Sequence, residues 1–223
     1  MTNKDRLENV IGKYVIINKS GPFKYSMNSL KQVPFDSEIV DIIGKMIKGN
    51  EELDFVYGVI EGLVEGRLEE LKRFRKLLPE IENSIFCKTS QVSLNAPLSI
   101  LWNSNYQGLK KIVLKLLETE RVSKVLFGIV VASGDIEFIP SLIKCQDNPV
   151  AEEAAMGGIL RFIYRDMAFV AIEKLSGNHF VKKDAVGIAE GVKCYYYDWK
   201  PVLMWWENRV HKKTWNVFNV FRN

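Results

Sequence analysis

"ASGDIEFIPSLIKCQDNPVAEEAAMGGILRFI", Ala132 to Ile163, decides how the rest of the chain is read. Ile136, Ile139, Leu142 and Ile143 recur at the spacing of one helix face, directly after a Gly134-Asp135 pair that suits a turn. Asp147-Asn148-Pro149 supplies a second turn. The small residues Ala151, Ala154, Ala155 and Gly158 then predict a second helix. Gly157 and Gly158 fall inside that stretch with no strand before them, so they signal close helix packing rather than a phosphate-binding loop. Helix, turn and helix over about thirty residues is the length of a two-helix repeat unit.

The same texture extends back along the chain. In "SEIVDIIGKMIKGN" the residues Ile39, Ile42, Ile43, Met46 and Ile47 form one apolar stripe, with Ser37 as the expected N-cap and Gly49 as the stop. Leu53, Val56, Tyr57 and Ile60 make the next stripe, and Leu68, Leu71, Phe74 and Leu78 another. Leu109, Ile112, Val113, Leu116 and Leu117 follow, then Val122, Val125, Leu126, Ile129 and Val130. Short amphipathic helices joined by short turns pack as antiparallel pairs. "VYGVIEGLVEGRLEELKRF" (Val56 to Phe74) and "LFGIVVASGDIEFIPSLI" (Leu126 to Ile143) share an aromatic-glycine pair followed by a second glycine, Gly66 or Gly134. Turns at Gly66, Ser104 and Gly134 are therefore 38 and 30 residues apart. Strand signals are confined to "KYVIINKSGPFKY" (Lys13 to Tyr25), where Gly21-Pro22 suits a hairpin turn, and to "KCYYY" (Lys193 to Tyr197).

The segment Ala132 to Ile163 resembles a HEAT-like repeat, and "AIEKLSGNHF" (Ala171 to Phe180) followed by "DWKPVLMWWEN" resembles the close of bacterial HEAT-repeat proteins, where a Leu-Thr/Ser-Gly turn leads into a Trp-rich helix. The likeness covers Leu126 to Arg209. The chain departs from the pattern in its longer connection, "VKKDAVGIAEGVKCYYY", and in lacking the arginine and aspartate of strong HEAT repeats. The resemblance implies an all-α fold, an α-α superhelix of antiparallel helix pairs; the residues around Gly21-Pro22 add a short β-hairpin near the N-terminus as a further expectation. Because the helical pattern begins at about Asp36, the expected organisation is an N-terminal segment over 1–35, open to an irregular structure, and a HEAT-like repeat domain over 36–223 capped by the last helix.

Composition narrows the functional classes. The 223 residues are 47% hydrophobic and 26% charged, the range of globular proteins. The longest apolar runs, such as "VLFGIVVA", fall well short of the ~20 residues that cross a bilayer, and the first ten residues hold no signal-peptide core. The expectation is a soluble, cytoplasmic protein without membrane partners. Cys87, Cys145 and Cys194 are widely spaced with no CxxC, and His179 and His211 are the only histidines, which disfavours disulfide frameworks and zinc sites. The net charge of +4 sits in Val192 to Asn223, where six Lys/Arg face two acids; the preceding chain carries 25 of each sign. A local basic region attracts anionic partners, and charge of this size also serves solubility.

The last helix is the place where chemistry and packing compete. With Asp198 as N-cap and Pro201 in the first turn, Trp199, Val202, Leu203, Trp206 and Val210 share one face and read as the cap of an open solenoid end. Trp205 lies off that face, one turn before Arg209, where a cation-π contact is expected, and with Lys212 the pair forms a candidate basic-aromatic edge. Such residues are hot spots in protein interfaces and also stack on bases. Arg73, Lys110 and Lys111 are a second candidate set, able to line one basic surface if successive helices face the same way; the plainer reading is a solvated helix face. Glu61, Glu65, Glu69 and Glu70 read as solvent-facing acids, and Ser176-Gly177-Asn178-His179 as a helix end rather than a nucleophile beside a base.

With no catalytic, cofactor or metal signature, the expected function is that of a non-catalytic helical-repeat protein that binds another protein through its concave face or its C-terminal edge, as an inhibitor, immunity or assembly factor. The alternative is nucleic-acid binding, including activity like that of the small HEAT-like DNA glycosylases; a third reading is an accessory subunit of an enzyme.

Overall fold

Twelve residues from Ser37 to Lys48 illustrate how the helices of this chain are set. Asp36 caps the helix by accepting from the Ile39 backbone N–H at 2.9 Å, so the cap is one residue earlier than Ser37, an aspartate being at least as good an acceptor there. Ile39, Ile42, Ile43, Met46 and Ile47 are all buried, and Gly49 ends the helix. The reversal that follows uses Asn50 and Glu52 at positive φ.

The computed structural model describes residues 1–14, 27–34, 36–64, 67–86, 94–119, 123–147, 151–153, 161–184 and 195–220, with the backbone alone at 27–28, 68–69, 151–153, 161–163, 182–184, 195–196 and 211–220. The helices are α1 (Asn3–Gly12), α2 (Met27–Leu30), α3 (Ser37–Lys48), α4 (Leu53–Val64), α5 (Leu78–Ile85), α6 (Asn95–Asn103), α7 (Leu109–Leu117), α8 (Lys124–Ser133), α9 (Ile139–Lys144), α10 (Tyr164–Ser176) and α11 (Trp199–Val220). Three 3₁₀ segments, Leu68–Leu77, Ile136–Phe138 and Cys145–Asp147, join them. The described residues are mostly helical, and they divide into two compact units, Met1–Ile112 and Val113–Asn223.

In the first unit α1 packs on α3 and α3 on α5, while α2 packs on α4 and α4 on α6; α3 also meets α4, and α5 meets α6. The chain is already helical at Asn3, inside the segment expected to be irregular. Thr2 and Asp5 form a reciprocal capping box, the Asp5 N–H donating to Thr2 Oγ1 at 3.1 Å and the Thr2 N–H to Asp5 Oδ2 at 2.8 Å. Leu7, Val10 and Ile11 are its buried face. Gly62 lets α2 and α4 approach, since a Cβ there would stand 2.4 Å from Leu30 Cδ1. The stripe through Leu71 and Phe74 is buried as expected, but its backbone is 3₁₀ rather than α; its three-residue spacing matches the three residues per turn of that helix. The candidate hairpin over Lys13 to Tyr25 falls almost wholly outside the described residues, as do Gly66, Cys87, Asn148, Pro149, Gly157, Gly158 and Cys194.

In the second unit α8, α9, the 3₁₀ turn Cys145–Asp147 and two strands all meet α10. Ser123 caps α8 by accepting from the Leu126 N–H at 3.3 Å, and Gly134 ends it at φ 65°, the left-handed region that suits glycine. The stretch from Ile136 to Asp147 is broken into 3₁₀, α and 3₁₀ turns rather than one helix, with Ile139 and Leu142 buried but Ile136 40% exposed. Of the second helix expected through Ala151, Ala154, Ala155 and Gly158, residues 154–160 lie outside the described residues, and the described ends are strands instead: β1 (Ala151–Glu153) pairs antiparallel with β2 (Arg161–Ile163), Ala151 opposite Ile163. Two mid-helix glycines each cost about 1 kcal/mol, and Phe162 and Ile163 favour extended backbone. A second pair, β3 (Lys182–Asp184) with β4 (Tyr195–Tyr197), contains the strand expected near Lys193 to Tyr197.

Cys145 is buried, and its thiol lies within hydrogen-bonding reach of the Ser141 carbonyl at 3.5 Å and the Leu117 carbonyl at 3.6 Å. Burial pushes that thiol up to about 11. Lys144 and Glu118, 2.9 Å apart, pair at the same junction of α9 with the end of α7.

Candidate functional site

Phe169, fully buried on α10, organises the aromatic residues of the second unit. Tyr197 stacks on it at 4.6 Å between ring centroids, Trp199 meets it edge-on at 5.5 Å and Phe180 edge-on at 6.0 Å. Tilted and edge-to-face pairs at these distances are each worth about 0.5–1.5 kcal/mol beyond the area they bury. Phe180 is placed by a carboxyl group inside the fold. The Glu173 side chain, 8% exposed, accepts from the Phe180 N–H at 2.9 Å, after α10 has ended at Gly177, φ 70°. Ser176 Oγ accepts from the Asn178 N–H at 3.2 Å within the same turn, so this serine serves the helix end, and His179 is exposed.

Upon Phe180 sits Trp205, ring centroids 5.7 Å apart, and Trp205 in turn carries the Arg209 guanidinium 5.7 Å above its ring. The helix that holds both starts with Asp198 accepting from the Lys200 N–H at 3.1 Å, as an N-cap does, with Pro201 in its first turn. The expected partition of the tryptophans is corrected. Trp199 and Val202 are buried, but Leu203, Trp205 and Trp206 are all half-buried, and Val210 is 41% exposed. The buried Phe169 of α10 meets only the start of α11, through Trp199, and burial fades along the stripe beyond Val202. Trp205 is not bare either: it lies between Phe180, Trp206 at 5.9 Å and Arg209. The Lys212 side chain lies outside the described residues; the backbone there is helical.

No family model matches the chain, and neither the curated proteins nor the solved structures hold a match.

The other candidate residues are in the first unit. Arg73 pairs with Glu70 at 2.7 Å on the 3₁₀ segment, and Lys110 and Lys111 are exposed on α7, beside the buried Ile112. Glu61 departs from the expected solvent-facing position: it is half-buried on α4, and burial raises its carboxyl above the usual range. Among the described residues no group of three or more His, Cys, Asp or Glu is placed to hold a metal ion, and no helix is long and apolar enough to cross a membrane. Phe180 and Glu173 escaped the sequence reading. A glutamate within a helix carries no sequence signal of burial, and the contact of Phe180 with Trp205 joins residues far apart in the chain with no local pattern to announce it.

Proposed function

We propose that the protein is a non-catalytic, HEAT-like helical-repeat protein that recognises another protein, with the Trp205–Arg209 edge as the principal contact. Support for the repeat architecture comes from the first unit, where α1, α3 and α5 follow one another as neighbours and α2, α4 and α6 do the same. Neighbour-only packing of helix pairs is what stacked repeats produce.

The observation that carries the functional reading is the run of contacts from Arg209, over the Trp205 ring, to Phe180, which meets Trp205 edge-on. Its rings already pack on one another and on Trp206, which reduces the side-chain entropy that binding would lose. Tryptophan and arginine are the residues most often dominant in interfaces. A dedicated inhibitor, immunity or assembly role suits a protein whose described residues present a contact edge and no reacting group.

Immobilised protein incubated with native lysate under gentle conditions is expected to recover a stoichiometric protein partner. Trp205→Ala is expected to bind that partner about thirtyfold more weakly, the equivalent of about 2 kcal/mol. Recovering no partner, or recovering the same partner equally with both proteins, overturns the reading. Salt-sensitive binding to duplex DNA by fluorescence anisotropy, with no protein recovered, replaces it by the nucleic-acid alternative, for which the exposed Lys110 and Lys111 are the supporting observation.

A further inference from the structure

We infer that the surface taken by the Trp205–Arg209 edge is an acidic protein segment that sets a carboxylate against the in-plane N–H groups of Arg209, an inference that rests on the protein-binding reading above. Three other described cations are held by acids, Lys4 by Glu52 at 3.2 Å, Arg73 by Glu70 at 2.7 Å and Lys144 by Glu118 at 2.9 Å. Arg209 is held by a ring face instead, and among the described residues no carboxylate pairs with it. Stacking occupies one face of the guanidinium and leaves its edge donors, arranged as a fork that matches a carboxylate with two parallel hydrogen bonds. Lys200, exposed in the first turn of the same helix, also has no acid partner among the described residues.

Charge and apolar surface point the same way. The whole net charge of the chain lies in Val192 to Asn223, and the α11 backbone runs on through Lys212 and Lys213, three and four residues past Arg209. Long-range attraction by such a region favours an anionic partner. Beside these charges Met204 is 54% exposed, and Val181, whose carbonyl accepts from the Asp198 N–H at 3.3 Å at the start of α11, is 58% exposed. Exposed aliphatic side chains suit a segment that mixes acidic with apolar residues. A phosphate backbone fits less well, because Glu207 is exposed on the same helix and Asp198 stands at its start.

The test titrates the full chain into fluorescein-labelled poly-L-glutamate and, separately, labelled duplex DNA, at low salt, reading anisotropy. Poly-L-glutamate is expected to bind, about tenfold more weakly with Arg209→Gln. Arg209→Lys, which keeps the charge and loses the fork, is expected to weaken binding several-fold, and circular dichroism is expected to show unchanged helix content in both variants. No binding of poly-L-glutamate, equal binding by Arg209→Gln, or tighter binding of DNA overturns the inference. A protein captured through Trp205 whose capture survives both Arg209→Gln and about 0.5 M salt overturns the acidic partner while leaving the protein-binding reading in place. Absence of any Trp205-dependent capture removes that reading itself.

Discussion

In the unit Met1–Ile112 each long helix from α3 to α6 is shared between a pair mate and the next helix of its own row; in the unit Val113–Asn223 α8, α9 and both β pairings turn to the single helix α10. Apolar burial is spread over many equivalent contacts in the first and concentrated on a hub in the second. Distributed burial tolerates the loss of one contact, because neighbouring helices keep most of theirs. A hub does not, since one side chain there serves several partners.

Phe169→Ala tests the hub most severely. Removing a fully buried ring that meets Phe180, Tyr197 and Trp199 is expected to cost about 3–5 kcal/mol and to erase the near-ultraviolet dichroism of the tryptophans it orders. Retention of that signal would mean that α10 is not the centre of its unit.

Alkaline titration separates the two units by chemistry. Burial raises Tyr57 of the first unit from 10.0 to about 12 and Cys145 of the second from 9.0 to about 11. A raised folded value means the stabilising protonated form is fully present below the unfolded value and lost as pH climbs through the folded one. Stability is expected to fall from about pH 9 to 11 through Cys145 and from about pH 10 to 12 through Tyr57, each on the order of 2 kcal/mol. Chemical denaturation of Cys145→Ala and Tyr57→Phe against pH checks this; each variant should lack its own part of the decline.

Gly62→Ala sharpens the picture of the first unit. Its new methyl would meet Leu30 Cδ1 at 2.4 Å and Cβ at 3.0 Å, and an overpacked helix contact is expected to cost about 2 kcal/mol. An unchanged unfolding midpoint would show that α2 yields freely. The smallest effect has the opposite sign. Gly58 and Gly128 each follow a buried aromatic inside a helix and face open space, so alanine at either position is expected to add about 1 kcal/mol. Equal gains at both would mark the aromatic-glycine pair as the same structural position in two differently built units.

These contrasts also explain what could be read beforehand. The stripes of α3, α4 and α7 were legible because each buries one face, and a periodic pattern is the direct trace of that geometry. Helix α1 was overlooked although Thr2, three residues ahead of Asp5, is a capping signal, and Leu7, Val10 and Ile11 follow it at helix spacing. The β1–β2 pairing was illegible because Ala151, Ala154 and Ala155 favour a helix, while the residues that favour extended backbone, Phe162 and Ile163, come only at the end of the stretch. At the candidate site the four-residue step from Trp205 to Arg209 announced their contact. Their support by Phe180 did not announce itself, since it depends on how the turn after α10 is anchored by Glu173.

Cys145 gives the second unit an internal clock. Its sulfur, enclosed between α9 and the end of α7, meets a thiol reagent only when those elements part. In a variant with serine at positions 87 and 194, the labelling rate of Cys145 therefore reads how often the unit opens under native conditions. When closing outpaces labelling, the ratio of that rate to the rate of the unfolded chain gives the opening free energy. Equal protection of Cys145 in the Trp205→Ala protein would show that the contact edge can be removed without loosening the elements that enclose Cys145.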